Sequence, residues 1–247
     1  MSHKKFLLAL LLAISSVGVT AAQTSKADPE AAPLTAPLVA IERGNRSFAN
    51  ADYEAALREY ASVPSSAGET YAQALYNIGV SYYELWRTAE AIDYYKRAID
   101  LRHGNYPRAS YALGVAFEDQ GQLVEAKAAY QQSIVESRGE YAAAHYRLGL
   151  LLAGHGDYEA AAESFRKALS HPGPHSPASH NNLGVMFARL GRLADAQREF
   201  EIALRQTDGA FDDAAHNLKL CRSLLTTAAT TEVTTFKVSQ VIDGPNK

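Results

Sequence analysis

Glycine recurs at one fixed interval through most of this chain. Gly44, Gly79, Gly114, Gly149 and Gly184 stand 35 residues apart, and Ala56, Ala91, Ala126, Ala161 and Ala196 keep the same step. An aromatic ring follows each alanine by four residues, at Tyr60, Tyr95, Tyr130, Phe165 and Phe200. A period in the range of about 20 to 50 residues marks a solenoid, because each unit leaves an apolar face that only a neighbouring unit can cover.

Each period holds two segments with apolar residues at helical spacing. In the second, Leu75, Ile78, Gly79 and Tyr82 share one helix face, and Ala91, Ile92, Tyr95 and Ala98 share another. Gly121, Gly156 and Gly191 break the two segments apart, supplying the positive φ of a helix stop. Between units the breakers are Pro64, Gly104 with Pro107, Gly139, His171 to Pro174 with Pro177, and Asp208-Gly209. The pattern predicts five helix pairs over 37–71, 72–106, 107–141, 142–176 and 177–211. A lone helix over 212–225 follows in phase, with Lys219 where glycine would fall, as suits a cap with a soluble outer face. The tail 226–247, rich in threonine and valine, is expected to be unstructured.

The best copy, Leu183-Gly184, Phe187, Gly191, Ala196, Phe200 and Ala203, resembles the tetratricopeptide repeat. That resemblance spans residues 37–211 and implies an all-α, right-handed α-solenoid of stacked helix-turn-helix repeats closed by a C-terminal capping helix. The chain departs from the family in its period of 35 rather than 34, which implies a longer inter-repeat turn. Arg43 and Ala51 replace the usual leucine and glycine of the first repeat, and Trp86 replaces the turn glycine of the second. The turn at Trp86 is therefore expected to close differently. The small residues are expected to bring the two helices of a repeat together, and the aromatic that follows to fill the gap toward the next repeat.

In this family the first helix of each pair lines a concave groove. The positions that would face it here are Ile41, Asn45, Phe48; Tyr76, Val80, Tyr83; Tyr111, Val115, Glu118; Tyr146, Leu150, Ala153; and Asn181, Val185, Ala188. Tyr76, Tyr111 and Tyr146 form one rung per repeat, with Arg108 and Glu118 near the edges. Tyrosines there either give a partner a large contact area or simply stack neighbouring repeats, and full burial would decide for stacking. Asn77, Asn182 and Asn217 fall next to the rungs, where some family members bind a partner's main chain through asparagine amides. Ala112 and Arg147 interrupt that series. The expected site is thus Tyr76, Val80, Tyr83, Tyr111, Val115, Glu118, Tyr146, Leu150, Asn77, Asn182 and Arg108, with the tyrosine-rich repeats two to four favoured.

Residues 1–22 read as a secretory signal peptide. Lys4 and Lys5 precede the apolar run Phe6 to Val19, and small residues follow at Ala21 and Ala22. As a helix that run would reach only about 21 Å, short of the roughly 30 Å of a bilayer core. Residues 23–36 read as a proline-containing linker. No stable membrane span is expected in the mature chain, and export to a periplasm or medium is. Losing Lys4 and Lys5 takes the formal net charge from −3 to −5, with no basic block for nucleic acid.

No phosphate loop, nucleophile elbow or metal-ligand box is present in the sequence, so no enzyme activity, catalytic residue, cofactor or metal site is expected. His145 and His180, one period apart, read as satisfied surface or inter-repeat residues, and Cys221 as a small apolar one. The expected function is an interaction scaffold that docks a partner peptide or helix in its groove. The alternatives are a self-assembly module, in which repeats stack or the Val233, Phe236 and Val238 tail fills a neighbour's groove, and an accessory subunit of an envelope assembly or secretion machine.

Overall fold

The computed structural model describes residues 35–171, 173, 175–227 and 236–240. The signal peptide and nearly all of the linker expected from the sequence lie outside them. Eleven α-helices make up the described regular structure, with one 3-10 turn at Ser65–Ala67. They are α1 (Ala36–Ala49), α2 (Tyr53–Ala61), α3 (Glu69–Glu84), α4 (Thr88–Leu101), α5 (Pro107–Asp119), α6 (Leu123–Glu136), α7 (Ala142–His155), α8 (Tyr158–Leu169), α9 (Ser176–Arg189), α10 (Leu193–Gln206) and α11 (Asp212–Thr227). The arrangement is an all-α solenoid of helix pairs. The chain forms two compact units that part between Gln120 and Gly121. In the first, successive helices α1 to α5 pack on one another, and α3 also touches α1 and α5. In the second, α6 to α11 pack in the same sequential way, and α9 also touches α11.

The periodic glycines and aromatics meet inside the first, second, fourth and fifth pairs. A Cβ on Gly79 would lie 2.6 Å from the Tyr95 ring, on Gly149 2.8 Å from Phe165, and on Gly184 2.6 Å from Phe200. Gly44 stands against Tyr60 in the same way. The second-helix aromatic therefore covers the glycine of its own repeat, a contact the sequence reading did not assign to it. The reason is geometric: only a position without a side chain leaves room for a ring against the backbone of the first helix. Ala91, Ala161 and Ala196, fully buried, are the matching small residues on the second helix.

The turns within repeats close alike whatever residue occupies them. Gly191 and Gly156 have φ of 75° and 85°, and Ala51 and Trp86 adopt 59° and 62°. Trp86 N–H donates to Tyr83 O at 2.9 Å and Arg87 N–H to Tyr82 O at 2.9 Å, as Gly191 does to Ala188 O at 3.0 Å and Arg192 to Phe187 O at 2.8 Å. The different closure expected at Trp86 is thus absent. Packing of the flanking helices imposes a left-handed residue there even at a side-chain cost. Between repeats, two successive left-handed residues close the chain at His103-Gly104, Arg138-Gly139 and Asp208-Gly209.

The two ends suit their exposure. Arg43, at the position usually held by leucine, pairs with Glu59 at 2.7 Å on the surface of the first repeat. Lys219 and Arg222 of α11 are exposed, and Arg222 pairs with Glu201 of α10 at 3.0 Å. No helix among the described residues is long and apolar enough to cross a membrane.

Candidate functional site: a main-chain clasp on α7, α9 and α11

Tail residues Phe236–Gln240 lie against the face formed by the first helices of the second unit. The sequence reading left this tail unstructured; these five residues, and Thr226 and Thr227 at the end of α11, are structured. They form neither helix nor strand, so their backbone N–H and C=O groups need partners from elsewhere. Asparagine side chains supply them.

Asn217 on α11 grips Lys237 twice: Lys237 N–H donates to Asn217 Oδ1 at 2.8 Å, and Asn217 Nδ2 donates to Lys237 O at 2.8 Å. Asn182 on α9 grips Ser239 in the same way, accepting its N–H at 2.7 Å and donating to its carbonyl at 2.8 Å. An amide carries one acceptor and two donor hydrogens, so it can pair with a peptide group much as another peptide would. Asn182 and Asn217 stand one period apart, and the main chain is held at alternate residues.

Three further groups complete the clasp. Asn181 Nδ2 donates to Lys237 O at 3.0 Å and to Ser239 Oγ at 2.9 Å, while its Oδ1 accepts from Asn217 Nδ2 at 2.8 Å. Tyr146 Oη on α7 donates to Ser239 O at 2.7 Å. Ser239 Oγ donates to the Asp213 carboxylate at 2.9 Å. Asn181, Asn182 and Asn217 are wholly buried with the segment in place, so each of these pairs is made away from water, where leaving an amide unpaired would cost about 1–3 kcal/mol.

Two side chains of the segment point inward. Phe236, buried, stacks on Phe200 of α10 with centroids 5.9 Å apart and planes 15° apart. Ser239 is buried as well, whereas Lys237, Val238 and Gln240 are exposed. Phe200 thus has two neighbours of different kinds, Gly184 beneath and Phe236 beside it.

The sequence-proposed residues divide sharply. Tyr146 and Asn182 hold the segment. Tyr76 and Tyr111 are 1% and 2% exposed, so they present no open face to a partner, whereas Tyr146, 1% exposed, is covered in part by the segment its hydroxyl holds. Tyr76 packs against Tyr95 and Tyr106, at 5.9 and 5.5 Å between centroids, and Tyr146 against Phe165 and His175, at 5.8 and 5.1 Å. A first-helix ring at this position lies over the second helix and the following turn, which turns it into stacking material. Val80 and Val115 are buried too, and Leu150 is half-buried. Tyr83 is buried and its hydroxyl donates to the Asp119 carboxylate, joining the ends of α3 and α5. Asn77 is buried and donates to Asn45 Oδ1 at 3.3 Å. Glu118 and Arg108 are half-exposed, Arg108 adding positive charge near buried Tyr106.

The segment sits on repeat four, one of the three favoured from sequence, through Tyr146, and on repeat five and α11, which were not favoured. Asn181, Asn217, Asp213 and Phe200 were outside the proposed site. The pairing of Asn182 with Asn217 at one period was the available signal for Asn217; nothing local marks Asp213 or Phe200. Among the described residues no group of three metal-ligating side chains occurs. His145 is buried with Nε2 on Gly139 O at 3.1 Å, and burial holds its pKa below the usual range. His180 pairs with Glu199 at 2.7 Å. Cys221 is buried, its Sγ on Leu193 O at 3.2 Å, and burial pushes its thiol pKa up.

Tetratricopeptide repeat family models match residues 72–105, 111–177 and 146–211, together more than half of the chain. A MamA structure from Desulfovibrio magneticus RS-1 is similar at 22% identity with a TM-score of 0.58, covering 70% of this chain and 96% of that one. A tetratricopeptide repeat protein from Parabacteroides merdae has 16% identity and a TM-score of 0.61, covering 77% and 73%. A thermophilic protein of the same class from Thermus thermophilus has 21% identity and a TM-score of 0.51, covering 76% and 100%. No curated protein matches the chain. The helix pairs, the ring-on-glycine contacts and the matched profiles agree: the chain belongs to the tetratricopeptide repeat family.

Proposed function

We propose that the chain is an exported, non-catalytic scaffold that docks a partner's peptide by its main chain on the face of α7, α9 and α11. The repeat fold supports a protein–protein interaction scaffold. The observation that carries the finer reading is the pair of two-point amide contacts, Asn217 on Lys237 and Asn182 on Ser239. Side-chain amides that match peptide groups at alternate residues bind backbone, which any unfolded partner segment offers. Each pair replaces two water contacts of the peptide, so the gain per pair is about 1–3 kcal/mol.

Replacing Asn182 and Asn217 together by alanine is expected to abolish recovery of partners from an envelope extract, with helix content by circular dichroism unchanged. Undiminished recovery by the folded variant overturns the reading. Export is proposed on the Lys4-Lys5 and Phe6 to Val19 pattern. N-terminal sequencing of the protein from a cell-envelope or medium fraction should begin after Ala21 or Ala22; a chain that keeps Met1 in the cytoplasm refutes export.

A further inference from the structure

The resident segment also reports which partners fit. Its main chain is held by contacts that ignore sequence, but two side chains meet groups that do not. Position one, Phe236, lies flat on the Phe200 ring and is 5% exposed. Position four, Ser239, is 4% exposed and gives its hydroxyl hydrogen to Asp213 while accepting from Asn181 Nδ2. The two intervening side chains, Lys237 and Val238, face solvent.

Each inward position discriminates by its chemistry. A ring stacked on a ring gains area and π-geometry that an aliphatic side chain loses. A hydroxyl satisfies both a carboxylate acceptor and an amide donor, while an alanine in that buried place loses both hydrogen bonds and leaves Asn181 Nδ2 with its bond to Lys237 O. A carboxylate at position four would stand at hydrogen-bond distance from Asp213 with like charge, so acidic residues are rejected there.

We propose that the partner is a peptide with an aromatic residue three positions before a serine or threonine, and that Phe236–Gln240 is a self-ligand of that pattern which the partner must displace. This rests on the main-chain clasp proposed above and adds sequence selection and competition to it. Residues 228–235 tether the segment to α11, giving it an effective local concentration on the order of millimolar. A partner in solution therefore binds the wild-type chain far more weakly than a chain whose own segment is disabled. The competition needs no movement of the helices, only release of the tail.

The test uses the full chain carrying Phe236→Ala and Ser239→Ala, titrated with a fluorescein-labelled peptide of residues 232–243 and read by anisotropy. Expected is saturable binding, at least tenfold weaker for the wild-type chain, and at least tenfold weaker for peptides with Phe236→Ala, Ser239→Ala or Ser239→Asp. These peptide variants leave the receptor untouched, so misfolding cannot mimic the result. If all peptides bind the opened chain equally and Asn182→Ala with Asn217→Ala removes that binding, the clasp stands and the motif falls. If binding survives loss of both asparagines, the clasp itself is wrong. Equal affinity of the wild-type and opened chains for the native peptide overturns the self-ligand. So does a wild-type chain that dimerises with rising concentration and loses the dimer on Phe236→Ala, which would make the occupant a second copy's tail.

Discussion

At the scale of the residue, glycine and ring are one unit. Gly184 has value only because Phe200 lies where its Cβ would be, and Phe200 in turn stacks with Phe236. Gly184→Ala is expected to lower stability by about 1–3 kcal/mol through overpacking, measured as a shift in the urea midpoint. It should also weaken peptide binding in the opened chain, because the ring it displaces is the one the aromatic docks on. A variant as stable as wild type would show that the ring gives way freely. The Gly and aromatic positions of this contact were legible in the sequence as a strict period. Its geometry was not, because spacing cannot say which of two surfaces a side chain covers.

At the scale of the element, helices and turns follow the period more faithfully than the residues that fill them. The in-repeat turn keeps a left-handed residue at Ala51 and Trp86, where no glycine stands. A side chain with positive φ costs roughly 1 kcal/mol or more, partly offset by the lower freedom of the unfolded chain relative to glycine. Ala51→Gly and Trp86→Gly are therefore each expected to stabilise by about 0.5–1 kcal/mol, read from thermal melts of the two variants. A fall in Tm at Trp86→Gly would mean that the half-exposed indole contributes packing larger than the backbone strain. Helix boundaries were readable because proline, glycine and apolar stripes act within a few residues. The turn's sameness was hidden, because the flanking helices dictate its conformation.

At the scale of the whole molecule, the second unit carries its own occupant. Asn181, Asn182 and Asn217, with Tyr146, Asp213 and Phe200, come from α7 to α11, and Phe236–Gln240 completes them from the same chain. Occupation in cis removes the reason for tail-mediated assembly, so light scattering is expected to give a monomer whose mass does not rise with concentration. Phe236→Ala with Ser239→Ala should leave that mass unchanged while amide hydrogens of Lys237 and Ser239 lose protection from exchange. Protected amides in the variant would show that main-chain contacts alone hold the segment.

The sequence by itself determined the repeat, the helix pairs, the capping helix and the family, since all of these arise from contacts within one period or between adjacent ones. It also flagged Asn182 and Asn217, with Asn77, as an interrupted series, because they occupy one helix position in different units. Only the tertiary structure decided that Tyr76 packs inside while Tyr146 reaches the segment, that the clasp lies on repeats four and five, and what fills it. The physical reason is distance along the chain: Tyr146 and Ser239 meet across 93 residues and Asn182 and Ser239 across 57. No local pattern encodes such a meeting; it exists only once the solenoid has brought its first helices side by side.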